Sequence, residues 1–207
     1  MDEPGGADRS AYDVIVLAGG TSRRLGGVDK LGLTLAGRPL LDHVLLACRG
    51  ASRVVAVGPP RPVLADDEVG GRASYELVWC REDPPGGGPL AAVRAGAWHL
   101  VSPIVVVVGG DMPYVGPLIG RLVDAVAGGA DAAACPDEAG RPLPLPTAFR
   151  HEVLAARLSE TSDPSAPPGP LRRLLERVEA TLVPANGEDA DVDTPEQLAA
   201  ARERAER

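Results

Sequence analysis

The stretch Val14-Ile15-Val16-Leu17-Ala18-Gly19-Gly20-Thr21-Ser22-Arg23-Arg24-Leu25-Gly26-Gly27-Val28-Asp29-Lys30 runs an apolar strand straight into a loop of glycines and basic residues. No helical pattern follows at once. Glycines let main-chain N–H groups approach an anion closely, and arginine and lysine bring charge that persists near neutral pH. The loop reads as a phosphate-handling element. It is not a P-loop, because no Gly-Lys-Ser/Thr closes it, and it lacks the Gly-x-Gly-x-x-Gly entry into a helix that marks a dinucleotide fold.

Outward from that loop, short β-branched runs alternate with helical patterns. Tyr12–Leu17, Arg53–Val57, Tyr75–Trp79, Ile104–Val108 and Asp131–Cys135 read as strands. Helices are expected from Pro39 to about Cys48, over Pro89–Leu100, Gly116–Ala127 and His151–Glu160, with helical pattern resuming at Pro170–Glu179. This alternation predicts an α/β fold with a mostly parallel sheet and right-handed crossovers. Ligands of such sheets lie outside the carboxyl ends of the strands. The glycine loop and the segment Gly109-Gly110-Asp111-Met112-Pro113 both fall on that edge.

The 207 residues are read as a single domain, with 1–11 expected to be disordered and 161–169, dense in Pro, Ser and Gly, a mobile loop. With aromatic residues at 3%, the core must come from Val, Leu, Ile and Ala. A net charge of −8 and the lack of a basic run argue against a nucleic-acid surface. Val101–Val108 is too short to span a bilayer, and no signal-peptide pattern opens the chain, so a cytoplasmic location is expected. Cys48, Cys80 and Cys135 lack metal-ligand spacing and suit a reducing compartment as small buried hydrophobes.

The pattern Leu-Ala-Gly-Gly-x-Ser-x-Arg-x-Gly-x-x-Asp-Lys over 17–30 resembles the entry loop of the molybdenum cofactor guanylyltransferase family, within the nucleotidyltransferases. The likeness extends to the Thr194-Pro195 helix start. It implies a three-layer, Rossmann-like fold of the nucleotide-diphospho-sugar transferase type. It also implies GMP transfer from GTP to the phosphate of molybdopterin, with Mg²⁺ as cofactor and pyrophosphate released. In that scheme Leu17, Ala18, Gly19 and Gly20 receive the nucleotide, and Arg24 and Lys30 neutralise the triphosphate. Transient contact with cofactor-synthesis or acceptor enzymes is a further implication. Use of CTP or of another small phosphorylated acceptor, such as a sugar phosphate, is the alternative; a nucleotide-binding adaptor without turnover is another.

Asp111 at a strand end could hold a hard cation or initiate a turn before Met112-Pro113, and its residue type does not choose between these. The resemblance assigns it to the metal and to catalysis. The run Asp191-Val192-Asp193-Thr194-Pro195-Glu196 accounts for itself as a helix start. The resemblance adds Asp193 as a second metal-side ligand, with Asp191 as its competitor; both stand where relatives often carry Asn. Asp83 and Gly88 flank a run that reads as a hinge, or, by resemblance, as nucleotide-binding. Arg172 and Arg173 read as solvated charge, while the resemblance places a basic group such as Arg173 near the acceptor. It also sets Arg141-Pro142 beside the acceptor pocket. His43, His99 and His151 face no candidate nucleophile, so covalent catalysis is not expected.

Overall fold

The described residues are 11–19, 29–62, 75–161 and 169–206 of a computed structural model. Along them run β1 (Tyr12–Leu17), β2 (Thr34–Leu35), β3 (Arg38–Pro39), α1 (Leu40–Ala47), β4 (Arg53–Val57), β5 (Glu76–Cys80) and α2 (Gly88–Ala97). There follow β6 (Ile104–Gly109), α3 (Gly116–Ala127), β7 (Ala132–Pro136), β8 (Pro142–Arg150), α4 (His151–Glu160), β9 (Ala180–Leu182) and α5 (Pro195–Ala205). Seven strands form one sheet in the order β5-β4-β1-β6-β8-β7-β9. The β5-β4-β1-β6 half is wholly parallel, and β8 enters antiparallel to both β6 and β7.

Alternation within the strands makes the three layers. Val14 and Val16 of β1, with Val106 and Val108 of β6, pack against Leu41 and Val44 of α1 and Leu118 and Leu122 of α3. Ile15, Val105 and Val107 face the other way, onto Leu90 and Val93 of α2 and Leu154 of α4. Every residue of β6 is buried, as a β-branched run covered on both faces requires. At the foot of β1, buried Asp13 accepts hydrogen bonds from the amides of Val101 (2.6 Å) and Ser102 (2.9 Å) and from the Ser102 hydroxyl (2.7 Å).

A third, smaller cluster joins the β2–β3 hairpin to the last helix through Leu35, Leu40, Val192, Leu198 and Ala201. The hairpin turns at Ala36 and Gly37, both at positive φ (48° and 77°), the backbone of a tight two-residue turn. Arg202 of α5 donates to the Thr34 carbonyl at 3.1 Å.

The strands at Tyr12–Leu17 and Arg53–Val57 and the helices at Gly116–Ala127 and His151–Glu160 lie where the sequence places them. The strands expected at Tyr75–Trp79 and Asp131–Cys135 each shift by one residue, to Glu76–Cys80 and Ala132–Pro136, and Ile104–Val108 extends to Gly109. Three further expectations change. The helix expected over Pro89–Leu100 is Gly88–Ala97, and Pro39 precedes α1 rather than opening it. The pattern at Pro170–Glu179 forms only a 3-10 turn over Leu171–Leu174, because Arg177 turns left-handed (φ 62°) and the chain then enters β9. Strand β8 was not foreseen. Its prolines, Pro142, Pro144 and Pro146, lie in the half that extends beyond the β6 ladder, which runs only over Thr147–Arg150. There the missing N–H groups break no β6 pairing. Residue 20, the segment 21–28 with Arg23 and Arg24, and most of the 161–169 loop lie outside the described residues.

Candidate active site

The exits of β1, β4, β5 and β6 share one edge of the parallel half-sheet, and Leu17, Gly19, Gly88, Lys30, Asp111 and Asp193 gather there. Gly110 N–H donates to the Leu17 carbonyl (3.0 Å), binding the β6 exit to the β1 exit. Ala18 N–H donates to Val57 O (2.9 Å), binding β1 to β4. A Cβ on Gly109 would collide with Asp111 Oδ1, so the glycine leaves room for the carboxylate to turn back over the strand end. Asp111 does not cap the next helix, which Val115 precedes without a side-chain cap.

Lys30 opens a single 3-10 turn, Lys30–Gly32, anchored by buried Leu31. Its ammonium contacts both Asp111 Oδ2 and Asp193 Oδ1. Lys30 is the most enclosed of the three, its side chain 12% exposed against 24% for Asp111 and 37% for Asp193. Burial pulls the Lys30 pKa down, but the hydrogen bonds and charges of Asp111 and Asp193 outweigh it and leave the pKa raised. Lys30 therefore carries its full charge at neutral pH. Asp191 lies close enough to feel the same cluster. Partial desolvation, then the charges of Asp193 and Asp111, raise its pKa, and Lys30 offsets this in part.

Asp193 is held by a built support. Thr194 caps α5 by accepting from Gln197 N–H at 3.2 Å, and Gln197 Oε1 accepts back from the amides of Thr194 (2.9 Å) and Asp193 (2.7 Å). This is a capping box. Val192 N–H donates to the Asp111 carbonyl at 3.0 Å, which docks the whole segment on the β6 exit. The helix start thus also fixes the carboxylate that meets Lys30.

Beside this cluster a cleft of about 430 Å³ opens between the β1, β4 and β5 exits and the start of α2. Leu17, Gly19, Gly58, Glu82, Gly86 and Gly88 are among its lining. The size suits a nucleoside. Gly58 is required there: any Cβ would run into the Ala18 carbonyl and lie 2.7 Å from Gly19 N.

The chain belongs to the MobA-like NTP transferase family. The match to that family's domain covers residues 14–184. A probable molybdenum cofactor guanylyltransferase of Natronomonas pharaonis is 29% identical over 213 residues, covering 92% of this chain and 96% of the relative. The molybdenum cofactor guanylyltransferase of Serratia proteamaculans is 32% identical over 147 residues, 70% of this chain and 71% of the relative. Among solved structures, molybdopterin-guanine dinucleotide biosynthesis protein A from Archaeoglobus fulgidus superimposes with a TM-score of 0.68 at 24% identity, over 94% of this chain and 98% of that one. The 2-C-methyl-D-erythritol 4-phosphate cytidylyltransferase of Thermus thermophilus gives 0.70 at 21% identity, over 95% of this chain and 100% of that one. Both likenesses are of fold.

As a MobA-like NTP transferase the chain is a nucleotidyltransferase, and its predicted site residues divide into three sets, with Asp83 and Arg173 belonging to none of them. Lys30, Asp111 and Asp193 converge; Leu17, Gly19 and Gly88 line the cleft, with Ala18 buried beneath; Gly20 and Arg24 lie outside the described residues. Asp83 is exposed and is not among the lining residues, whereas its neighbour Glu82 is, and Glu82 Oε1 accepts the Gly86 amide at 3.0 Å. Arg173 sits in the 3-10 turn beside α4, its carbonyl accepting from Arg157 at 2.8 Å. Arg141 pairs with Asp137 at the β7–β8 turn, at 2.8 Å. Sequence reasoning did not single out Gln197, Gly58 or Arg61, which pairs with Asp29 at 2.6 Å next to Lys30. Gly58 ends a predicted strand, a position where glycine signals close approach, but its contact partner is set by tertiary structure alone.

Among the described residues no group of three or more His, Cys, Asp or Glu side chains converges as a metal cage, and no helix is long and apolar enough to cross a membrane. Two carboxylates on one cation, beside a nucleotide-sized cleft, suit a magnesium ion, which keeps water and substrate phosphates in its shell rather than a protein cage.

Proposed function

We propose that this MobA-like NTP transferase moves GMP from GTP onto the phosphate of molybdopterin or its molybdenum-bound form. The convergence of Lys30, Asp111 and Asp193 at the strand-end edge carries the reading, and the guanylyltransferase names of its near full-length relative and others support the donor and acceptor. The base lies in the cleft against the main chain of Leu17–Gly19, with Gly58 and Gly88 allowing close approach. The open start of α2, which Gly87 precedes without a side-chain cap, turns its positive end toward the same cleft. Lys30 and Arg24 neutralise the triphosphate. Asp111 and Asp193 would hold Mg²⁺, which neutralises charge on phosphate oxygens when bound. The acceptor phosphate is already an anion and attacks the α-phosphorus in line, so positioning and charge stabilisation suffice and no general base is needed.

The test is pyrophosphate release from purified protein with Mg²⁺, molybdopterin and each nucleoside triphosphate in turn. Release with GTP alone, and a product mass corresponding to the guanine dinucleotide, is expected. Release with CTP alone would move the chain to cytidylyl transfer, and binding without release under any pairing would favour an adaptor.

A further inference from the structure

Resting on the reading of Asp111 and Asp193 as the metal carboxylates, we propose that Lys30 is a built-in stand-in cation. Its ammonium holds the place between the two carboxylates until a nucleotide's phosphates draw it away, so a divalent ion enters only with nucleotide. The placement is direct: one Nζ contacts Oδ2 of Asp111 and Oδ1 of Asp193, groups delivered by separate segments. An ammonium seated on those two oxygens competes with a divalent ion for their lone pairs and repels it at close range.

The device has a fixed base and a movable head. Leu33 N–H bonds the Lys30 carbonyl at 3.1 Å, and Leu31 is buried, so the Lys30 backbone stays put. The four-carbon stem carries the charge on several rotatable bonds. Asp111 and Asp193 are equally anchored, through Val192 N–H to Asp111 O and through Gln197. When a triphosphate arrives with more negative charge than either carboxylate, the ammonium is the one group of the three able to follow it. The carboxylates are then left facing each other, which makes a divalent ion welcome there. Metal and nucleotide become coupled ligands, and the coupling is reciprocal. Lys30 thereby has two tasks: it keeps the pair of carboxylates assembled without metal, and it later serves the phosphates.

The experiment is a titration of nucleotide-free protein with Mn²⁺, read by the loss of free-ion electron paramagnetic resonance signal. Wild type is compared with Lys30→Met and with Lys30→Met/Asp111→Asn. Lys30→Met is expected to bind one Mn²⁺ at least 10-fold more tightly than wild type, and the double variant to lose that gain. Binding by Lys30→Met no tighter than wild type, or a gain that survives Asp111→Asn, overturns the proposal. Lys30→Gln replaces Lys30→Met if the latter does not melt cooperatively, with the same two outcomes. Lys30→Arg, which keeps a cation in place, is expected to bind as weakly as wild type. The titration uses neither donor nor acceptor, so a protein that failed to transfer GMP would still answer it.

Discussion

The amide of Val192 donates to the carbonyl of Asp111 at 3.0 Å, so the segment bearing Asp193 is pinned to the end of the central strand β6. A residue far along the chain thereby becomes a neighbour of Lys30. The α5 capping box holds the Asp193 amide in the same segment, and its part can be tested separately from the chemistry.

Gln197→Ala removes the acceptor for the Thr194 and Asp193 amides. The Thr194 cap survives, and loss of the reciprocal half of the box should cost up to about 1 kcal/mol of stability. The larger effect should fall on metal dependence: the Mg²⁺ concentration for half-maximal rate is expected to rise several-fold, with kcat recovering at high Mg²⁺. A rate deficit that Mg²⁺ does not repair would detach Gln197 from Asp193.

Asp111→Asn should lower kcat by a factor on the order of 10²–10³, as losses of single preorganised electrostatic groups do. Gly109→Ala reaches the same carboxylate from behind, since the new methyl would collide with Asp111 Oδ1. Its turnover is expected to fall while nucleotide affinity, measured by equilibrium dialysis without divalent metal, stays close to wild type.

Gly58→Ala should do the reverse. The methyl would force the Ala18–Gly19 peptide away from β4 and narrow the cleft. Nucleotide Kd is expected to rise at least 10-fold, on the order of the 1.4 kcal/mol that a tenfold change represents. Unchanged affinity would mean that the base lies elsewhere.

The cysteines set an alkaline limit. Burial pushes the Cys48 thiol up to about 12 and, with nearby acidic charge, Cys135 up to about 11. Their unfolded-state pKa lies near 9, so the fold favours the protonated thiols. This contribution is complete below pH 9 and is lost as pH rises through the folded-state values. The melting temperature should therefore fall between pH 9 and 11. Alkylation of native protein at pH 8, followed by mass mapping, should mark half-buried Cys80 and spare Cys48 and Cys135; prompt labelling of Cys48 would contradict its burial.

How much of this was legible beforehand depended on whether the signal was local. Tyr12–Leu17 and Arg53–Val57 are β-branched runs with clear ends, and Gly116–Ala127 has an apolar stripe at helical spacing, so these elements lie as read. Pro142, Pro144 and Pro146 hid β8, because a proline speaks against a strand unless one knows that its far side is unpaired. Lys30, Asp111 and Asp193 were reached through the glycine loop and a resemblance, not through spacing, since 163 residues separate Lys30 from Asp193. Gly58, Glu82 and Gln197 owe their roles to what lies next to them in space. No pattern along the chain announces that.

That separation also orders how the site comes into being as the chain is made. Every element lining the cleft is complete once α2 has been synthesised, whereas Asp193 and its anchoring helix arrive about 100 residues later, several seconds at ordinary synthesis rates. The residues that line the cleft are therefore all made well before Asp193, the second carboxylate on Lys30. On a ribosome-bound chain Lys30 and Asp111 are thus present before the second carboxylate that shares the ammonium.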